Sequence, residues 1–402
     1  MIKLFSIKWF KLLPAKINSL FNLFIFFFTE SKKIKKAEIL FFFPFYHIGG
    51  AEKVHIDIVN CFKNNNTYIF FQGKSSSDSN KKKFIQNSHY YEVFELLNRS
   101  RFTKKIFLES LSKMINNSIH VNTLFSSNSS FFYTLIPNIN SNIKKIDLIH
   151  AFSYPDSGLE IFSIPYVSYL TERIVINNRT YSDFKKLYHK NNLDIYLDRI
   201  KIIQNGISLK KIEMPIKEYE KIKICYVGRW SKEKRPELFL KIARRILQEN
   251  SNFEFYFVGT DDVIHREKIN DNGVINIGEV KNTKDLEELY KKFHFILITS
   301  YREGFPIVLM EAMSFGVVPI CTNIGGISEH IVDSDNGFLI DNNQKEEEII
   351  SNFIRVIQSI IITLDYPILS KNVYNYAQEN FSIQKFQSSY KERLLGPGLK
   401  IN

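Results

Sequence analysis

Cysteine is scarce in this 402-residue sequence, and its apolar runs are short. The three cysteines, Cys61, Cys225 and Cys321, are far apart and odd in number, which predicts neither a disulfide framework nor a CxxC metal site and favours a reducing compartment. The apolar run at residues 20–28 is too short for a membrane-spanning helix, which needs about 20 apolar residues. We therefore expect neither a disulfide scaffold nor a transmembrane helix.

Several motifs of nucleotide and metal chemistry are also missing. No G-x-G-x-x-G follows a predicted strand, which disfavours a nicotinamide-dependent oxidoreductase. Residues 73–75 (Gly-Lys-Ser) lack the earlier glycine of a phosphate loop, so a kinase or ATPase is poorly supported. No Asp-x-Asp motif of the metal-binding type is well placed, because Asp333-Ser-Asp335 follows a predicted helix. We expect no metal site and no bound cofactor.

The positive charge is concentrated at the N-terminus. The net charge is +12, and residues 1–36 contain eight lysines against one acid, Glu30. This concentration argues against nucleic acid as a partner of the main body and indicates a basic N-terminal extension. On a helical projection, one side of that extension is apolar. The apolar residues are Phe10, Leu13, Ile17, Leu20, Phe24 and Phe28.

Three interpretations of this extension stay open. An amphipathic basic helix is typical of peripheral contact with an anionic membrane. The alternatives are a helix packed on the protein's own surface, or a mobile tail. A secretory signal fits poorly, because the lysines are dispersed and no small-residue cleavage site follows Phe28. We expect a cytoplasmic protein, peripheral on the inner face of the cell membrane if the first interpretation holds.

Short apolar runs alternate with longer segments of helical period, as in parallel βαβ units. The length suits two domains, so the predicted class is α/β with two Rossmann-like domains. The predicted division is 1–36, 37–213, 214–380 and a last helix at 381–402. In the first half, the predicted strands are 39–45, 68–71, 90–96, 121–125, 147–152 and 174–177. In the second half, they are 222–227, 253–258, 274–277, 295–299, 317–322 and 337–340, and the helices include 236–250, 306–315 and 327–332.

Ligands of open α/β sheets bind in the loops that follow the strands, where helix N-termini offer free N–H groups. One such loop is basic: residues 228–235 hold Arg229 and Lys234 and lead into Pro236 at a plausible helix start. A planar guanidinium fork and a point charge suit a diphosphate. A solvated basic loop without function is the alternative.

A second loop is acidic and precedes a helix bounded by Pro306 and Gly316. Glu303 lies in this loop and Glu311 lies in the helix's second turn. Residues eight apart in one helix are separated by about 12 Å along its axis. That separation argues against a glycosidase pair acting on one bond and favours two carboxylates that contact different parts of an extended ligand.

Two Gly-Gly loops complete the candidate site. Gly325 and Gly326 follow one predicted strand, and Gly49 and Gly50 follow the first strand of the N-terminal domain. Paired glycines let backbone N–H groups approach a phosphate closely and form an anion-binding nest. As isolated dipeptides they are also common in simple turns.

Together these segments resemble the retaining GT-B glycosyltransferases of family 4, a group that makes many lipopolysaccharide, capsule and glycolipid linkages. The resemblance rests on GRWSKEK at 228–234, SYREGFPIVLMEAMSFGVVPICTNIGGISEHI at 300–331 and NGFLI at 336–340, in this order and spacing. It covers roughly residues 39–395 and leaves out residues 1–36. It implies two Rossmann-like domains that face each other across a cleft, with the last helix crossing back onto the first domain.

The resemblance also implies roles for individual residues. Arg229 and Lys234 would bind the donor diphosphate, Glu303 would hydrogen-bond the donor sugar and Glu311 would hold the ribose hydroxyls. His150 would face the cleft, although Phe152 stands where many members carry a second histidine, so a purely structural role stays open. The other implied donor-binding residues are Gly49, Gly50, Gly228, Gly304, Phe305, Pro306, Ile307, Gly325 and Gly326.

The implied reaction is transfer of a sugar from a UDP- or GDP-sugar to a glycan or lipid-linked acceptor, with retention of configuration and without metal. The leaving diphosphate would be stabilised by preorganised cations and helix N-termini. A nucleotide-sugar epimerase of the non-hydrolysing GT-B type is the alternative, since it shares the two-domain fold. The two differ in that an epimerase converts its sugar nucleotide without an acceptor.

Overall fold

The computed structural model describes residues 15–47, 49–98, 100–153, 157–209, 213–259, 263–363 and 366–396. The chain forms two compact α/β units. Unit 1 comprises the described parts of Met1–Val175, Tyr181–Ile203 and Gln387–Asn402. Unit 2 comprises the described parts of Ile176–Thr180 and Gln204–Phe386.

Unit 1 is built on a seven-stranded sheet in which every pairing is parallel. Its spatial order is β3-β2-β1-β4-β5-β6-β7. The strands are β1 (Ile39–Phe43), β2 (Thr67–Phe71), β3 (His89–Glu92), β4 (Thr123–Ser127), β5 (Lys144–Ile149), β6 (Glu172–Val175) and β7 (Ile200–Ile202).

The central strands of this sheet are buried on both faces, which is why they appear in the sequence as unbroken apolar runs. All five residues of β1 (ILFFF) and of β2 (TYIFF) are buried. The abundant phenylalanines pack against one another across the strands. Phe42 and Phe70 are stacked at 5.1 Å between ring centroids, and Phe41 meets Phe125 edge-on at 5.8 Å.

The helices of unit 1 connect these strands. They are α1 (Ala15–Lys36), α2 (Gly50–Asn60), α3 (Lys81–Ile85), α4 (Phe94–Asn98), α5 (Arg101–Asn116), α6 (Ser130–Leu135), α7 (Leu159–Phe162) and α8 (Asn178–Lys190), whose first residues belong to unit 2. Within the described ranges, no helix has the length and apolarity that crossing a bilayer requires.

Helix α1 packs on unit 1, although not through the apolar side that the sequence predicts, since Phe24 and Phe28 are exposed. Leu23, Phe26 and Ile34 are buried in the core cluster that includes Phe107 of α5. The buried Glu30 carboxylate accepts a 2.8 Å hydrogen bond from the Tyr68 hydroxyl. The predicted apolar residues Phe10 and Leu13 lie outside the described residues.

Unit 2 contains a six-stranded parallel sheet in the order β10-β9-β8-β11-β12-β13. Its strands are β8 (Ile222–Val227), β9 (Phe253–Val258), β10 (Ile275–Gly278), β11 (Phe295–Ile298), β12 (Val318–Thr322) and β13 (Phe338–Ile340). Its helices, with the last one that leads into unit 1, are α9 (Pro236–Glu249), α10 (Val263–Asp271), α11 (Thr283–Tyr290), α12 (Ile307–Met313), α13 (Glu346–Thr363), α14 (Tyr366–Asn380) and α15 (Ile383–Leu395).

Several sequence-based predictions of helices and strands differ from the structure. The predicted strand 90–96 ends at Glu92, because Phe94–Asn98 turns into α4. The predicted helix 327–332 is only a 3-10 turn, Ile327–Glu329. Strand β7, which pairs with β6, is absent from the predicted strands.

Both sheets reverse their direction of growth between two neighbouring strands. In unit 1 this switch lies between β1 and β4, and in unit 2 it lies between β8 and β11. Because the loops leaving the two strands at a switch run to opposite sides, a crevice opens there at the carboxyl edge, and ligands of such sheets bind in it. The loops that follow β8 and β11 are therefore the expected ligand-binding loops of unit 2.

Candidate functional site

The two loops at the switch of unit 2 are the basic loop, residues 228–235, and the acidic loop, residues 300–306. Lys234 of the basic loop donates a 2.5 Å hydrogen bond to Glu303 Oε1 of the acidic loop. Ser300 Oγ donates to the same oxygen at 2.8 Å. The Glu303 side chain is only 9% exposed, so its charge is held in place by an ammonium and a hydroxyl rather than by water.

The backbones of the two loops are joined at the base of this contact. The Thr299 hydroxyl lies 3.0 Å from the carbonyl oxygens of both Lys234 and Arg235. In return, Arg235 Nε donates to the Thr299 carbonyl at 2.6 Å, and its Nη2 donates to the Ser300 carbonyl at 3.2 Å. We call this reciprocal set of bonds the loop clasp.

A second set of contacts holds the outer part of the basic loop. Glu233 accepts a 2.5 Å bond from Arg302, and its backbone carbonyl accepts from the Tyr301 N–H at 3.0 Å. Arg229 lies at the limit of ion-pair distance from Glu233, 4.0 Å, and its side chain is 52% exposed. Glu233 is therefore paired mainly with Arg302, and the Arg229 guanidinium remains largely exposed at the surface of the site.

The Gly-Gly turn after β12 lies directly against the acidic loop. Gly325 has φ +55°, in the left-handed region, and a Cβ built there would be 1.9 Å from the Glu303 carbonyl oxygen. The Gly326 N–H donates to the Gly304 carbonyl at 2.7 Å. Asn177 donates to that same carbonyl through Nδ2 at 3.1 Å. Glycine is therefore required at position 325, where the two backbones approach closely.

Helix α12 begins later than the sequence predicts, since Pro306 is its N-cap rather than its first residue. Phe305 is buried, with its ring 4.3 Å from that of His330, and Ile307 is buried too. These two side chains belong to the core of unit 2, so only their backbone N–H groups are candidates for ligand contact. Glu311 is half-buried on α12, and Gly316 follows the helix with φ +68°.

Gly228 follows β8 and continues its ladder. Its N–H donates to the Val258 carbonyl at 2.9 Å. A Cβ built on the facing Gly259 would be 1.7 Å from the Gly228 carbonyl oxygen. The chain after β8 therefore lies tightly against the chain after β9 before it turns into the basic loop.

The other predicted residues lie in unit 1, at the carboxyl edge of its sheet. Gly49 is the N-cap of α2 and Gly50 is its first residue. His150 follows β5, and its Nε2 lies 3.2 Å from Nε2 of His55 on α2 and 3.2 Å from Ser127 Oγ at the end of β4. The His55 ring is stacked on Phe43 at 4.5 Å between centroids.

This histidine pair has one favoured arrangement of protons. Nδ1 of His55 is buried and has no hydrogen-bond partner among the described residues, and a bare lone pair is tolerated there better than an N–H group. His55 therefore donates through Nε2, and His150 accepts and carries its own proton on Nδ1. Burial lowers the pKa of His150 to about 4 and also lowers the pKa of His55, so both rings are neutral at pH 7.

Several residues of the site were missed by sequence reasoning. Ser300 and Thr299 stand beside a predicted acid, but nothing in the sequence says that they contact it. Asn177, His55 and Ser127 reach their partners only through the fold. Among the described residues, no group of three or more His, Cys, Asp or Glu side chains is placed to hold a metal ion.

The fold and the site together define the class of domain. Residues 210–378 match the family model of glycosyl transferases group 1, so this part of the chain is a domain of that kind. The range includes the basic loop, the acidic loop and the Gly-Gly turn.

Two relatives in sequence match parts of the chain. One is the Escherichia coli UDP-Gal:alpha-D-GlcNAc-diphosphoundecaprenol alpha-1,3-galactosyltransferase, which is 27% identical over 50% of this chain and 55% of its own. The other is an uncharacterized 41.2 kDa protein in the cps region of Klebsiella pneumoniae, 31% identical over 36% of this chain and 42% of its own. The chain thus spans about half the length of these two relatives.

Solved structures match nearly the whole chain. Anabaena HepE in complex with UDP superposes with a TM-score of 0.69 at 15% identity, covering 89% of this chain and 99% of that one. The pneumococcal O-GlcNAc transferase GtfA in complex with UDP and GlcNAc gives a TM-score of 0.70 at 12% identity, with the same coverage. These likenesses confirm the predicted fold class, GT-B with two parallel-sheet α/β domains.

Proposed function

We propose that the chain is a retaining glycosyltransferase of family 4 that transfers a sugar from a UDP- or GDP-sugar to a glycan or lipid-linked acceptor in cell-surface polysaccharide synthesis. The observation that carries the proposal is the contact between Lys234 and Glu303 at the switch of a glycosyl transferases group 1 domain. The contact supports the proposal because an ammonium group, which suits a diphosphate, lies beside a carboxylate that can accept hydrogen bonds from a sugar. The E. coli relative, whose name includes a UDP-sugar and a diphosphoundecaprenol, supports the proposed substrates.

In this proposal, Lys234 and Arg229 bind the donor diphosphate. A lysine ammonium has three donors, and the contact with Glu303 uses one of them. Two remain for phosphate oxygens, and the contact fixes the direction in which they point. Arg229, exposed at the entrance of the basic loop, adds a planar fork that suits a second phosphate.

Glu303 is proposed to orient the donor sugar. Its hydrogen bonds from Lys234 and Ser300 both fall on Oε1, which leaves Oε2 to accept from a sugar hydroxyl. Glu311 is proposed to hold the ribose hydroxyls. Backbone N–H groups of Gly304, Phe305, Ile307 and Gly325 would add contacts to the phosphates or the sugar. Gly228 and Gly326, whose N–H groups already donate to the Val258 and Gly304 carbonyls, would allow only close approach of the donor to the backbone.

The proposed chemistry needs no metal. The bond between the anomeric carbon and the phosphate oxygen breaks while the acceptor oxygen bonds to the same carbon, and the acceptor proton passes to the departing phosphate on the same face. The negative charge that develops is stabilised by Lys234 and Arg229, which are already in place. From unit 1, Gly49, Gly50 and the Nδ1–H of neutral His150 are proposed to contact the donor.

The proposed location follows from the proposed acceptor. A lipid-linked glycan lies at a membrane, so we propose a cytoplasmic protein that is peripheral on the inner face of the cell membrane. No nucleic acid is proposed as a partner, because the excess positive charge is concentrated in residues 1–36.

The first test is a panel of nucleotide sugars screened for protection of the protein against thermal unfolding. A UDP- or GDP-sugar should raise the melting temperature of the wild type, and the variants Lys234→Ala and Glu303→Ala should lose both this shift and transfer while remaining folded. Lys232→Ala, which removes an exposed charge from the same loop, is the matched control and should keep both. Normal turnover in Lys234→Ala or Glu303→Ala would refute those roles.

Product analysis separates transfer from the alternative. A glycosyltransferase consumes its sugar nucleotide only when an acceptor is present, and the anomeric proton coupling of the product reports retention. Conversion of the sugar nucleotide into an isomer without any acceptor would instead establish a nucleotide-sugar epimerase.

A further inference from the structure

Helix α1 exposes a row of large apolar side chains. Leu20, Phe24 and Phe28 follow one another at intervals of four residues, which places them on one side of the helix. Phe24 is 65% exposed and Phe28 is 81% exposed, and their rings are stacked at 6.1 Å between centroids. Ile25 beside them is also exposed. Exposed aromatic rows of this kind mark interaction surfaces.

The opposite side of α1 is fixed to unit 1, so the row cannot turn inward. Phe26 meets Phe107 of α5 edge-on at 5.2 Å, and Leu23 and Ile34 are buried in the same cluster. The Glu30 carboxylate is bonded to the buried Tyr68 hydroxyl. Rotating the helix to hide Phe24 would therefore expose the buried residues and break the bond of Glu30.

The start of α5 adds a further aromatic residue at the same end of the helix pair. Phe26 lies beside Phe107, and further along both helices the Ser118 hydroxyl donates to the Lys35 carbonyl at 2.7 Å. The two helices thus run in the same direction, and the start of α5 lies level with the part of α1 near Leu20. Phe102, at the start of α5, is 66% exposed there.

The same two helices carry exposed cations. On α1 they are Lys32, Lys33, Lys35 and Lys36, and at the start of α5 they include Arg101 and Lys105. The one acid of α1, Glu30, is buried and paired with Lys33, and on α5 the exposed Glu109 is paired with Lys105 at 3.8 Å. Aromatic side chains bordered by exposed lysines complement a bilayer with anionic headgroups, because the rings enter the acyl boundary and the ammonium groups contact the phosphates.

We propose that Leu20, Phe24, Ile25, Phe28 and Phe102, with the lysines at 32–36, form the membrane-docking surface of the protein and that its partner is an anionic lipid bilayer. Helix α1 lies along the bilayer surface and remains attached to unit 1 through its buried side. This inference adds the responsible surface to the proposed location and does not depend on the proposed reaction, because lipid binding can be measured without a donor or an acceptor.

The test uses the full chain and vesicles of phosphatidylcholine, alone or mixed with phosphatidylglycerol. The wild type should sediment with the mixed vesicles and much less with phosphatidylcholine alone. The double variant F24S/F28S should bind the mixed vesicles at least about tenfold more weakly, because two aromatic side chains no longer leave water. The control I264S/I368S replaces two exposed apolar residues of unit 2 and should bind like the wild type.

Three results would distinguish membrane docking from the alternatives. Wild-type binding that is absent, or F24S/F28S binding equal to that of the control, would overturn the proposal. Vesicle-free self-association of the wild type that F24S/F28S abolishes, without any vesicle binding, would make a second copy of the chain the occupant and would also overturn it. Transfer to a water-soluble acceptor should be unchanged in F24S/F28S, so loss of docking is distinguishable from failure of the proposed reaction.

Discussion

Replacement of Gly325 by alanine tests how closely the Gly-Gly turn supports Glu303. Gly325 has φ +55°, and a Cβ there would be 1.9 Å from the Glu303 carbonyl oxygen and 2.8 Å from that of Gly304. Both obstructing atoms belong to the backbone, so no flexible side chain can swing aside. The acidic loop itself has to move, and the Glu303 carboxylate moves with it.

Gly278 is a control that separates the cost of a left-handed backbone from the cost of the steric clash. Gly278 also has a left-handed φ, +74°, but a Cβ there has nothing within 4 Å. Gly278→Ala should therefore cost about 1–2 kcal/mol for the backbone conformation alone. Gly325→Ala should lose that amount plus about 1–3 kcal/mol for the steric clash. A displacement of Glu303 by about 1 Å should lower transfer by about 100-fold.

Thermal unfolding and donor turnover, measured on both variants, give the result. Gly278→Ala should lower the melting temperature of unit 2 by about 2–8 °C and leave turnover near that of the wild type. Gly325→Ala should be less stable than Gly278→Ala and nearly inactive. Equal stability and equal turnover in the two variants would show that the turn does not constrain the acidic loop.

Two predictions concern unit 1. The pKa values of His55 and His150 are lowered in the folded state, so the unfolded chain binds more protons below pH 6.5. Unit 1 should therefore lose stability as the pH falls from about 6.5 to about 4, as measured by unfolding experiments. The loss should be less steep in His55→Phe, and an unchanged slope in that variant would contradict the reasoning. Arg173 and Asp147 form a fully buried ion pair, with 2.6 Å between nitrogen and oxygen. Arg173→Leu should lower the free energy of unfolding by about 3–5 kcal/mol in denaturant, because it leaves a buried carboxylate without its cation. The double variant Arg173→Leu with Asp147→Leu should recover much of this stability. A double variant no more stable than the single one would refute that reasoning.

Two neighbouring strands of unit 2 could be predicted closely because they are buried on both faces and appear as unbroken apolar runs. Every residue of β11 and of β12 is buried, and the predicted strands 295–299 and 317–322 each differ from them by one residue. The strand predicted at 90–96 failed because Tyr91 and Leu96 are equally apolar in sequence, although one belongs to a strand and the other to a helix. Local composition does not separate these two states over so few residues.

The residues of the candidate site could likewise be predicted only where the sequence carries a local signal. Lys234 and Glu303 could be selected from the sequence because each follows a strand in a loop before a helix. Their mutual contact could not be predicted, since it depends on β8 and β11 being neighbours in the sheet. Asn177 and His55 gave no local signal at all, because their partners lie far along the chain.

The loop clasp has a consequence for attempts to change the donor. Because Thr299 and Arg235 bind each other's backbones, a substitution that shifts either loop shifts both. Exchange of the basic loop alone with that of another enzyme would leave the acidic loop without its supports. Donor preference should therefore be transplanted as a single cassette that contains both loops and the threonine between them.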